Sequence, residues 1–220
     1  MASIAIKDLN GLRRRSHKGL YKKGLALSKR DYNLICDYLE KINYSLQDIE
    51  RLLSAELDNH VFVSIVVFVS WIQESMSEIK KCYQSYVFTD FRYDDERMSC
   101  DKKFFNAIRS FVFAHPMTTN RHDFFGFDGT LRCVDIRPVG ERFFVFNRPD
   151  DKFYISRDGL KPYDAEQIDY WLYIYDDNKY DNEFKRYIGI SLQSVCEIAN
   201  DYVDYLYALD THLSKTNIQR

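Results

Sequence analysis

Residues 61–72 read VFVSIVVFVSWI, an apolar run broken only by Ser64 and Ser70. A segment that is apolar almost all the way round has no face to give to water, so it must be buried between neighbours. The rest of the chain has to supply those neighbours. Many residues of the run are β-branched, which leaves a strand open. Helical spacing continues beyond it, at Trp71, Ile72, Met76, Ile79, Cys82, Tyr83 and Tyr86, and predicts one long helix over about residues 60–86. The run alone is too short to cross a bilayer.

The expected neighbours are amphipathic helices. Ser28 has the character of an N-cap, with Asp31 in the capping-box position and Leu34, Ile35, Tyr38, Leu39 and Ile42 on one face behind it. Ser45 and Asp48 repeat the pattern and predict a second helix, striped by Leu46, Ile49, Leu52, Leu53 and Leu57. After the apolar helix, residues 90–98 are polar and read as a loop. Ser99 then caps a helix whose apolar side is Phe104, Phe105, Ile108, Phe111 and Val112. Pro116 disfavours the α conformation at His115 and stops it there. Residues 117–130, with Gly126 and Gly129, read as a loop. Further on, Asp164 and Gln167 open a helix with Ile168, Trp171, Leu172 and Tyr175 at i, i+3, i+4 and i+7. A last helix is predicted over about residues 180–212, roughly 45–50 Å long at ~1.5 Å per residue.

Between these helices the pattern changes. Residues 131–137, 142–147 and 152–156 are short and rich in Phe, Val, Ile and Tyr. The turn signals Pro138-Val139-Gly140, Arg148-Pro149-Asp150 and Asp158-Gly159 bound them. The fold class that follows is mainly α: a bundle of five or six helices with a small antiparallel β-meander inserted at about 131–157.

The 220 residues fit one domain, taken as 28–220, behind a basic N-terminal arm at 1–27. Residues 1–30 hold nine Lys or Arg against Asp8 alone, a net +8, which leaves −10 of the whole-chain −2 on residues 31–220. Such an arm, with Arg13, Arg14 and Arg15 at its centre, suits phosphates; it also suits folding back on the acidic body. Cys36, Cys82, Cys100, Cys133 and Cys196 are odd in number and widely spaced, which predicts buried thiols in a cytoplasmic protein. No secretory signal pattern is present, and no membrane contact is expected. No histidine has a ligand partner at i+3 or i+4, so no metal is expected, and no cofactor either.

One stretch suggests chemistry. Arg109 and His115 form an R-x5-H pair at the end of the aromatic helix, and Arg121-His122 follows after a polar loop. Histidine titrates near neutrality and arginine clamps phosphate, so together they can serve RNA cleavage by 2′-hydroxyl attack without metal. The pair resembles the R-x(4–6)-H signature of HEPN (higher eukaryotes and prokaryotes nucleotide-binding) domains. The resemblance covers the motif and the bundle character, not the β-meander. It implies a compact helical ribonuclease or RNA-binding protein of a toxin–antitoxin or abortive-infection system. His115 would be the acid–base residue at the ribose 2′-hydroxyl, and Arg109 would hold the scissile phosphate. Ser110 follows Arg109 where the family often has Asn, Asp or His. Arg121 and His122 would extend the cationic site. The partners implied are RNA, a second copy of the chain and a protein such as an antitoxin.

The alternative is a non-catalytic helical adaptor. In it Arg109 pairs with a carboxylate and His115 caps its helix. Two further features stay open in the same way. Phe143, Phe144, Phe146, Phe153 and Tyr154 either stack bases or pack on the bundle. Phe111 and Phe113 straddle different faces of their helix, so one should lie outside a single-face core, either available to a partner protomer or covered within the monomer by the Phe124-Phe125 loop.

Overall fold

The computed structural model describes residues 4–14, 19–21, 28–84, 91, 93–113, 117–118, 130–141, 152–163, 168–177 and 184–215. The protein is mostly helical. Its helices are α1 (Asn10–Arg13), α2 (Lys29–Leu53), α3 (Asn59–Gln84), α4 (Asp95–Phe113) and α5 (Leu192–Lys215), with a 3-10 turn at Gly19–Tyr21. The strands are β1 (Met117–Thr118), β2 (Thr130–Pro138), β3 (Lys152–Ser156), β4 (Gly159–Pro162), β5 (Tyr170–Asp177) and β6 (Phe184–Ile190). The chain forms two compact units. The first is Met1–Ser54, Val67–Asp95 and Cys196–Arg220; the second is Ala55–Val66 and Glu96–Val195.

The first unit is helical. The Ser28 hydroxyl accepts from the Asp31 N–H at 3.1 Å and so starts α2. Ile35, Leu39, Ile42 and Ile49 of α2 are fully buried, as are Val69, Ile72 and Ile79 of α3 and Leu206 of α5. The N-terminal segment belongs to the same core, because Leu9, Leu12 and Leu20 are fully buried. Its polar groups fasten it to α5. The Lys7 N–H donates to the Asn200 side chain at 2.8 Å, the Gly11 N–H to the Tyr207 hydroxyl at 3.1 Å and the Leu20 N–H to Asp210 at 2.9 Å. Gly19 takes φ 59, and a Cβ there would run into the Asp210 carboxylate.

The second unit is a six-stranded sheet in the order β1-β2-β5-β6-β3-β4, together with α4 and the start of α3. All pairings are antiparallel except β3 with β6. Tyr170, Leu172, Ile174, Ile188 and Ile190 share one face and are fully buried. Tyr170 stacks on Phe62 of α3 with centroids 4.7 Å apart, and its hydroxyl donates to the Asp58 carbonyl at 2.9 Å. Burial pushes its phenol well above the ordinary tyrosine range. Arg157, in the β3–β4 turn, reaches the buried Asp101 of α4 at 2.9 Å.

Three expectations need correction. Residues 28–57 were expected as two helices, but α2 runs unbroken to Leu53. Ser45 lies inside it, its hydroxyl bonded to the Lys41 carbonyl at 2.9 Å, so the side chain back-bonds instead of capping. The three-stranded antiparallel meander is also too simple. β2 and β3 stand where two of its strands were placed, and 142–147 lies outside the described residues. In place of the helix expected from Asp164, however, the described residues form β5, and residues 184–190 of the expected last helix are β6. The sheet is therefore mixed, and the fold is not a plain bundle. The 61–72 run lies within α3, which as a whole is long and apolar enough, by length and composition, to cross a membrane; 56% of its most apolar stretch is buried.

Candidate nucleic-acid interface

β5 alternates with period two. Tyr170, Leu172 and Ile174 go to the buried face, and Trp171 and Tyr173 go to the opposite one. Pairing extends that opposite face across the sheet. Arg137 of β2 stands beside Trp171, Tyr187 of β6 beside Tyr173, and Lys152 of β3 beside Tyr187. The next residue along β4, Tyr163, donates its N–H to the Lys152 carbonyl at 3.2 Å.

These residues form a continuous aromatic row. Tyr173 and Tyr187 lie 5.5 Å apart, Tyr187 and Trp171 6.2 Å, and Trp171 and Tyr163 5.0 Å, all tilted or edge-on. Such spacing is that of favourable aromatic pairs. The row is graded in exposure. Tyr173 and Tyr187 are buried, Trp171 is half-buried and Tyr163 is 39% exposed. At the open end the Lys152 ammonium lies 5.9 Å from both the Tyr163 and the Trp171 ring centroids. The result is a partly exposed ring pair with a cation over it, a combination that suits a flat ring with an anion beside it.

More charges surround this end. Arg137 is held by Asp135 at 3.3 Å and Glu141 at 3.5 Å. Lys161 bonds Asp158 at 3.0 Å, and that bond raises its pKa. Lys152 is the exposed cation that leans on the rings.

The residues singled out in the sequence fall in several places. Arg109 is half-buried on α4, one turn before the helix ends at Phe113. Ser110 is 2% exposed. His115, Arg121, His122 and Arg15 lie outside the described residues. Arg13 donates to Glu40 at 3.1 Å, and the exposed Arg14 closes α1 with its N–H on the Asn10 carbonyl. Arg13 and Arg14 belong to the first unit and Arg109 to the second.

Among the strand aromatics, Phe143, Phe144 and Phe146 lie outside the described residues. Phe153 pairs with Ile188 on the buried face, and Tyr154 pairs with Gly189 on the other. Trp171, Tyr163 and Lys152 were not singled out as a group. The signal for them was the aromatic–aliphatic alternation of residues 170–174, which also fits a helical template. No protein-family model, curated protein or solved structure matches this chain.

Proposed function

We propose that this is a cytoplasmic, HEPN-like RNA-binding protein that holds single-stranded RNA on the open end of the sheet. Under this reading it cleaves RNA without metal through Arg109 and His115. The observation that carries the binding half is the Trp171–Tyr163 ring pair with the Lys152 ammonium over it. An unpaired base stacks on aromatic side chains whatever its identity, and a neighbouring ammonium meets the phosphate. The cleavage half rests on the resemblance of the R-x5-H pair, with Arg109 in the same unit as the sheet. An antitoxin-like protein and a second copy of the chain are the partners that go with it.

The test is fluorescence anisotropy with a labelled oligouridine in EDTA, followed by gel analysis of the same samples. Trp171→Ala should weaken binding by about 1–3 kcal/mol, the worth of one base–aromatic stack. His115→Ala should leave binding intact and stop cleavage. Binding without cleavage in the wild type would remove the enzyme and leave a binding protein. No binding at all would leave the adaptor.

A further inference from the structure

A second surface, in the helical unit, has the opposite charge character. α2 and α3 leave an open groove of about 340 Å³ between them, lined by Asp37, Glu40, Lys41, Tyr44, Asp48, Phe68 and Trp71. Its aromatic residues are not all covered. Tyr44 is 60% exposed and Trp71 is 41% exposed, and Phe68 meets Trp71 edge-on at 5.3 Å. Large side chains left in water side by side mark surfaces that receive a partner.

The charges say which kind. Three carboxylates line the groove against one ammonium, and the one left without an arginine among the described residues, Asp37, favours a cationic group over a phosphate there. The ammonium, Lys41, lies 5.3 Å from the Trp71 ring centroid. The ring face is thus already used as a cation seat, by a side chain of the protein itself. Two of the carboxylates have arginines: Glu40 holds Arg13 at 3.1 Å, and Asp48 holds Arg51 at 2.8 Å. Both arginines are exposed and their carboxylates half-buried, so each pair contributes little. Asp37 is exposed and has no ion-pair partner among the described residues.

We infer that this groove binds a basic peptide segment of a partner protein, with an arginine stacked on Trp71 in place of Lys41 and facing Asp37. Guanidinium is the better group for that seat, because it is planar, weakly hydrated and able to fork onto a carboxylate. The groove and the sheet surface belong to different units and recognise opposite charges, so this inference stands apart from the RNA-binding reading.

The probe is hexa-arginine, titrated by calorimetry into the full chain at low and at physiological salt, with hexa-glutamate as the control. Trp71→Ala should weaken hexa-arginine binding about three- to fivefold, the size of an exposed cation–π contact. Asp37→Asn should weaken it about twofold. Lys41→Ala should tighten it about two- to threefold, since it clears the ring and removes a like charge. Lys41 and Trp71 are both exposed, so neither change threatens the fold, and circular dichroism melts check this. Binding that ignores Trp71→Ala, binding that weakens in Lys41→Ala, or equal binding of hexa-glutamate overturns the inference.

Discussion

At the scale of single residues, the junction before α5 shows how one carboxylate is set against its surroundings. Asp169 accepts the Leu192 N–H at 2.7 Å at the first turn of α5, while its own backbone N–H bonds the Ile190 carbonyl at 3.0 Å. Burial raises its pKa, and the Leu192 bond opposes the rise. The sign of the stability effect follows. Below the unfolded value of about 3.9 the group is protonated in both states and its contribution is complete. As pH climbs through the raised folded value, the native state must hold a partly desolvated charge and stability is lost. Asp169→Asn has no charge to acquire. Thermal melts at about pH 3 and about pH 7 should therefore show the variant gaining on the wild type as pH rises. A difference that stays constant with pH would rule this out.

At the scale of elements, the N-terminal segment is a structural part of the helical unit. Leu12 is fully buried in a helix of four residues that could not stand alone. Leu12→Ala should cost about 3 kcal/mol, within the usual range for a buried leucine, measured by urea unfolding. Removing residues 1–27 should cost more still, since Leu9 and Leu20 go with it. What was legible in the sequence follows the same physics. Ser28 with Asp31 marked a true helix start, and the 61–72 run marked α3, because both signals are local. Ser45 misled because a serine inside a helix can satisfy itself on the carbonyl one turn back. β5 misled because residues 168–175 fit both a 3.6 and a 2.0 period, and the choice is made by β2 and β6 on either side. Of the candidate site, the helix bearing Arg109 was legible, but it begins at Asp95, inside the expected 90–98 loop, so Ser99 does not cap it. The Trp171–Tyr163–Lys152 group was not, since only the register of four strands brings it together.

At the scale of the molecule, α4 ends with one aromatic inside and one outside. Phe111 is fully buried and Phe113 is 46% exposed. If RNA cleavage uses a composite site from two copies, this helix end is where the copies meet, and the assembly is two-fold. Sedimentation should then give about 53 kDa, twice the 26.3 kDa chain. Phe113→Asp should give monomers and abolish cleavage together; a wild-type monomer at micromolar concentration would refute the arrangement. The clasp between the N-terminal segment and α5 carries a consequence for synthesis on the ribosome. Lys7 and Asn200 are 193 positions apart. At ordinary elongation rates the leader waits roughly 10–40 seconds for its dock to be translated. Through that interval Leu9, Leu12 and Leu20, beside a run of basic residues, are open to whatever nascent-chain chaperone waits at the tunnel exit.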